Sequence, residues 1–276
     1  MNRAIILIIG EQLVQREMPE AHEELLPGVP WGDPWSLFTP AYWLAQAWMT
    51  QADRATTSRY CTSGDLVNEL GFCMLGGFGI TAELASAAFE RCRDAGLFNR
   101  LETCMEVWLT QLSERFLVND RLIKYRYPNQ KAKFLAAAMS YAKQHTFQFD
   151  SPLTLRNQLL EITGVGYKTA SWVVRNVLDS DDVAILDVHL IRAGRLCGLY
   201  SEKDNVQHDY LSMERRFLSF SRGLHLRPAV LDCLIWDEMR AAGSLPIDML
   251  NEIEPQFPAG DEDAHRQPRT IQLQLR

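Results

Sequence analysis

No two cysteines in this chain stand at metal-clasping or redox spacing. The six, at positions 61, 73, 92, 104, 197 and 233, include no Cys-x-x-Cys pair, which argues against a zinc finger or a thioredoxin-type centre. The six histidines are equally scattered, with no pair at ligand spacing on one helix face. Buried free thiols are therefore expected, and neither a metal nor a cofactor. A long apolar run is also missing. The N-terminal "AIILIIG" covers seven residues, too few to span a bilayer, and no small-residue cleavage pattern follows it. We expect a cytoplasmic chain with no membrane contact, in which this run starts a strand or a helix. Finally, there is no basic excess: the formal net charge is −7, which argues against a protein that coats nucleic acid indiscriminately.

The charge is unevenly spread. From Arg121 to Cys233 there are 16 Lys and Arg against 11 Asp and Glu, whereas the remainder holds 12 against 24. A basic middle could neutralise phosphates locally while acidic ends discourage loose binding. Residues 1–36, rich in Pro, Gly and Glu, suggest an irregular N-terminal extension. A helical body is expected over 37–245. Thr39 and Pro40 open a first helix, and "FCMLGGFGI" forms a glycine corner at Gly76, Gly77 and Gly79. Later helices are expected near 101–113, 130–144, 154–161, 167–178, 187–196, 209–222 and 228–241. Residues 246–276 read as an extended or mobile tail. No segment after residue 36 alternates with period two, so the fold class is mainly α, expected as two lobes with a cleft between them.

The segment "SPLTLRNQLLEITGVGYKTASWVVRNVL" divides into helix, tight corner and helix over 153–178. Ser151 or Thr154 can cap the first helix, and Leu155, Leu159 and Ile162 give it a buried stripe. Gly164 and Gly166 permit a close turn and leave free amides at the start of the second helix, where a phosphate would bind. Lys168 stands in that helix's opening turn, where a cation is disfavoured. Either a phosphate lies nearby, or the neutral amine is wanted. Lys168 and Trp172, four apart, share a face.

"GVGYK", followed by Asp187 in "AILDVHLIR", resembles the helix-hairpin-helix (HhH-GPD) glycosylase superfamily, and more narrowly its 8-oxoguanine DNA glycosylase/AP lyases. The similarity extends over about residues 37–243, through "YPNQKAKFLAAA" and "LDCLIWDEMRAAG". It implies a bifunctional enzyme, expected to work as a monomer on double-stranded DNA containing a damaged base. Lys168 would be the nucleophile and Asp187 the carboxylate that stabilises an oxocarbenium-like sugar. Trp172, Asp232 and Trp236 would line the pocket of the flipped base, and Gln46 could add a contact because an amide serves both donor and acceptor edges. Gly164, Gly166 and His189 would meet the DNA backbone.

Each residue also has a plain structural role open to it: a solvated surface position for Lys168, helix capping for Asp187, core packing for Trp172 and Trp236. A lysine nucleophile must be neutral, against a free value of about 10.4, and desolvation near a positive helix end favours that form. The sequence departs from cluster-bearing relatives, since only Cys197 and Cys233 follow the hairpin, and residues 1–36 are too few for the sheet-rich lobe of the eukaryotic type. The glycine corner with Phe78 could wedge a strand or merely pack a helix turn. Two other readings stay open: a glycosylase-fold enzyme for another modified base in a bacterial defence or repair pathway, and a non-catalytic helix-hairpin-helix module.

Overall fold

A computed structural model describes residues 2–54, 65–77 and 79–253. Among the described residues eleven helices form the body: α1 (Pro40–Met49), α2 (Leu66–Leu75), α3 (Ala82–Asp94), α4 (Met105–Ser113), α5 (Pro128–Gln144), α6 (Pro152–Leu159), α7 (Tyr167–Leu178), α8 (Val188–Leu196), α9 (Tyr210–Gly223), α10 (Pro228–Ala241) and α11 (Leu245–Ile253). None of them is long and apolar enough to cross a membrane. The helices expected at 167–178 and 228–241 occur there. The start of α4 is displaced from 101 to Met105, because Leu101 takes a left-handed φ of +50° that stops the helical path.

The N-terminal segment differs from the irregular extension expected. It forms one hairpin, β1 (Asn2–Ile9) with β2 (Gln12–Pro19), and a small second one, β3 (Glu24–Leu26) with β4 (Val29–Pro30). The first apolar run conceals its own alternation: Ile5 and Leu7 are buried, while Ile6 and Ile8 on the other face are 62% exposed. A third hairpin, β5 (Arg115–Val118) with β6 (Arg121–Lys124), escapes a period-two search because each strand has four residues. Its turn is Asn119–Asp120, both at positive φ, the pairing a tight hairpin favours. The expected extended tail is helical as far as Ile253, and Met249 packs against the core.

Two hydrophobic cores account for the architecture. One gathers the N-terminal hairpin, α1 and α8–α10, centred on Trp43, Phe217 and Phe220. The other gathers α2–α7, centred on Leu70, Phe98 and Trp108. The chain enters the first core, leaves it for the second, and returns at residues 184–186. The expected two lobes correspond to these cores, and their seam falls between α7 on one side and α8 and α10 on the other.

Candidate active site

The hairpin that carries Lys168 is built from its own local chemistry. Ser151 caps α6, its hydroxyl accepting the Thr154 N–H at 3.1 Å. The two glycines of the corner differ in kind. Gly164 has φ +89°, and a Cβ there would lie 2.3 Å from Cγ of Phe134 on α5. Gly166 is the N-cap of α7 with an ordinary φ of −102° and open space where a Cβ would point. Tight packing demands the first glycine. The second leaves the amide end of α7 uncovered, as an approaching phosphate requires.

Lys168 is partly buried in the first turn of α7. Among the described residues its amine has no hydrogen bond or ion pair; Nζ lies 6.0 Å from the centre of the Trp172 ring. Trp172 in turn packs edge-on against Phe72 at 5.6 Å and borders Gly76, where a Cβ would come within 3.2 Å of the indole. The glycine corner after α2 is therefore a wall of the lysine's surroundings. Phe78, offered as a wedge, lies outside the described residues.

Asp187 is the N-cap of α8. Its Oδ1 accepts the N–H groups of His189 and Leu190, each at 2.9 Å, which fixes the carboxylate at the helix's positive end. The capping role does not compete with a catalytic one, because a capping carboxylate retains a second oxygen. His189 packs edge-on to Trp236 at 6.1 Å. Burial holds the His189 imidazole below its ordinary value, with Arg192, Lys168 and Arg240 pushing the same way and Asp187 pulling against them. His189 is thus a neutral group near pH 7.

Asp232 on α10 is 6% exposed. Its Oδ2 accepts from Arg175 at 2.5 Å, and among the described residues Oδ1 has no hydrogen bond. Burial pushes its carboxyl up to about 6, with Arg175 pulling down, Asp187 pushing up and Lys168 pulling down. The charges of Lys168 and Asp187 thus reach both His189 and Asp232. Lys168, Trp172, Asp187, His189, Asp232 and Trp236 come together at the seam of the two cores. Gln46 stands on α1. Its side chain bonds Tyr42, whose hydroxyl donates to Glu238 at 2.9 Å, and no described interaction links it to Lys168.

Two basic residues escape a reading by sequence. Arg175 lies on the face of Lys168 and Trp172, seven residues on, and continues through Asn176 (3.0 Å) to Glu69 on α2 (2.8 Å). Lys131 on α5 buries its amine against the end of α2, donating to the carbonyls of Met74 and Gly76, the latter at 2.7 Å. The Leu75 carbonyl between them accepts the Tyr125 hydroxyl at 2.5 Å. Side-chain donors therefore satisfy three orphan carbonyls at this helix terminus, where positive charge is welcome. Among the described residues no three His, Cys, Asp or Glu side chains converge as a metal site requires.

A lysine free of carboxylate partners among the described residues, on a glycine-cornered helix pair beside a capping aspartate, defines a helix-hairpin-helix protein of the lysine-bearing class. The family model described as 8-oxoguanine DNA glycosylase (Ogg-HhH) matches residues 52–226, and the chain belongs to that family. Among curated relatives, the 8-oxoguanine DNA glycosylase/AP lyase of Saccharolobus islandicus is 39% identical over 123 residues, 41% of this chain and 58% of that protein. Its Thermoplasma acidophilum counterpart is 34% identical over 119 residues, 42% of this chain and 57% of that protein. The match spans less than two thirds of these relatives' length. Among solved structures, the 8-oxoguanine DNA glycosylase of Methanocaldococcus jannaschii superposes with a TM-score of 0.51 at 26% identity, covering 64% of this chain and 78% of that one.

Proposed function

We propose that the chain is a bifunctional DNA glycosylase and AP lyase that excises 8-oxoguanine from duplex DNA, acting as a monomer in the cytoplasm. The observation that carries this reading is the amine of Lys168 at the seam, which among the described residues has no hydrogen bond or ion pair, with Asp187 held by α8 and Asp232 beside it. Nζ attacks C1′ of the flipped nucleotide. The glycosidic C–N bond breaks with its electron pair leaving on the base, which takes up a proton. Opening of the sugar ring then gives a Schiff base between Nζ and C1′, and β-elimination expels the 3′ phosphate.

Each neighbour has a part that its placement supports. Asp187 stabilises positive charge developing at the sugar, its orientation fixed by the two amides it caps. Trp172 and Trp236 offer faces for the expelled base, where stacking contributes roughly 1–3 kcal/mol. Asp232 retains Oδ1 for a ring N–H of the base, while Arg175 keeps the carboxylate ionised at neutral pH. Gly166 and the amides of α7 take a backbone phosphate, and neutral His189 donates to another. Gln46, whose side chain bonds Tyr42, is left as a further contact for the base through its amide.

Borohydride trapping on duplex DNA carrying one 8-oxoguanine tests the reading, with undamaged duplex and duplexes of other damaged bases alongside. A covalent adduct on the 8-oxoguanine duplex, absent in Lys168→Gln while DNA affinity persists, is the expected result. Trapping on a different lesion alone would transfer the chemistry to another modified base. Binding without base release or adduct on any duplex would reduce the chain to a DNA-holding module.

A further inference from the structure

Asp187 is delivered by residues 183–186, a buried stretch with no helix or strand of its own. Such a stretch must find partners for its peptide groups outside regular structure; the Asp187 N–H donates to the Ile185 carbonyl at 2.7 Å, and α9 supplies others. The Ala184 N–H donates to Oε1 of Glu214 at 3.0 Å, and the Tyr210 hydroxyl donates to the Ala184 carbonyl at 2.7 Å. The same hydroxyl accepts the Leu186 N–H at 3.4 Å. One phenol oxygen thus grips the chain at two points just before Asp187.

The ring of Tyr210 faces the other half of the chemistry. It stacks on Tyr167, the residue preceding Lys168, with centroids 5.2 Å apart and an interplanar angle of 20°. The guanidinium of Arg156 on α6 lies 5.6 Å from the Tyr167 ring and pairs with Glu214 at 2.6 Å, both residues buried. The contacts form a closed circuit. It runs from α6 to α9, from α9 to the chain before Asp187, and from α9 back to the start of α7.

We propose that Tyr210 is a positioning residue that fixes the spacing between the amine of Lys168 and the carboxylate of Asp187, by holding the starts of α7 and α8 through one side chain. The two groups stand on opposite cores, so neither core by itself sets their separation. The proposal rests on the catalytic reading above only for its consequence in rate; the mechanical link stands on geometry.

The test uses the full chain carrying Tyr210→Phe, which keeps the stacked ring and removes the grip on Ala184 and Leu186. Amide hydrogen exchange is expected to quicken at Leu186, His189 and Leu190 while protection elsewhere is unchanged; unaltered exchange there overturns the link whether or not the protein is a glycosylase. On 8-oxoguanine duplex the single-turnover excision rate should fall about tenfold or more, as for small misplacements of reacting groups, with DNA affinity held within about twofold. In an Asp187→Asn background the same substitution should cost less than about twofold. An equal loss in that background, or a full rate in Tyr210→Phe alone, refutes a role through Asp187. Wild-type protein inactive on this duplex would sink the proposed function and leave the exchange result to decide Tyr210. If Tyr210→Phe does not fold, Tyr167→Leu cuts the stack from its exposed side. Excision must then fall without change in exchange at Leu186, and an undiminished rate overturns the proposal.

Discussion

Replacing Gly164 and Gly166 one at a time by alanine should separate two jobs that a Gly-x-Gly corner combines. At Gly164 the added methyl meets Phe134 at 2.3 Å, and the backbone sits at φ +89°. A left-handed conformation costs an L-residue roughly 1–2 kcal/mol. Forcing an extra carbon into packed surroundings costs about 1–3 kcal/mol. Alanine recovers only about 0.4–1 kcal/mol by restricting the unfolded chain. Gly164→Ala should therefore destabilise by about 2–4 kcal/mol, a large part of an ordinary domain's stability. At about 2–4 °C per kcal/mol, the melting temperature should drop by roughly 5–15 °C.

At Gly166 the same carbon meets nothing within 4 Å, and φ suits any residue. Stability should stay within about 0.5 kcal/mol. The methyl does enter the space in front of the α7 amides. If a phosphate is bound there, losing a charge-assisted contact of about 1.5–3 kcal/mol weakens duplex binding roughly ten- to a hundredfold. Scanning calorimetry and fluorescence anisotropy on both variants decide the matter. Equal melting temperatures would refute the assignment of Gly164 to packing. Unchanged affinity in a fully folded Gly166→Ala would refute the phosphate site.

Arg175→Met leaves the 6%-exposed Asp232 without its partner, and denaturant titration should show a loss of about 3–5 kcal/mol; the double variant with Asp232→Leu should recover most of it, and a single variant within 1 kcal/mol of wild type would contradict the buried pair. Burial, aided by the nearby charge of Lys168, brings the Lys131 amine down from 10.5 to about 8. Between those values the unfolded chain holds a proton that the folded one lacks, so wild-type stability relative to Lys131→Met should rise with pH from about 8 to 10.5. The gain is at most about 3 kcal/mol, and a flat difference across that window would show the amine to be solvated.

The parts legible in the sequence are those that local rules settle. Tyr167–Leu178 and Pro228–Ala241 carry helical periodicity with a glycine or a proline at the start, and both form as read. The spacing from Lys168 to Asp187 was readable as well, since Asp187 also satisfies the rule for a helix N-cap. The hairpin β1–β2 was obscured because every residue of "AIILII" is apolar, so exposed and buried faces carry the same signal. Gln46 is a pocket candidate only through its amide chemistry, and the partner its side chain takes, Tyr42 one turn earlier on α1, is not something that chemistry specifies.

Arg175 and Lys131 were lost for a different reason. A charged residue in a sequence is read as solvated, and that is where most charges are. Yet Lys168, Trp172 and Arg175 follow the i, i+4, i+7 spacing of one helix face, so the face that carried the first two already pointed to the third. What no local rule supplies is the partner, because Asp232 lies 57 residues away on the other core. Arg156 with Glu214 repeats the pattern across 58 residues. Both buried pairs cross the seam where Lys168 and Asp187 meet. An ion pair stripped of water tolerates little displacement, because separating its members leaves two buried charges unmet. The polar groups that local reading gives to the surface thus hold the two cores in register where Lys168 and Asp187 meet.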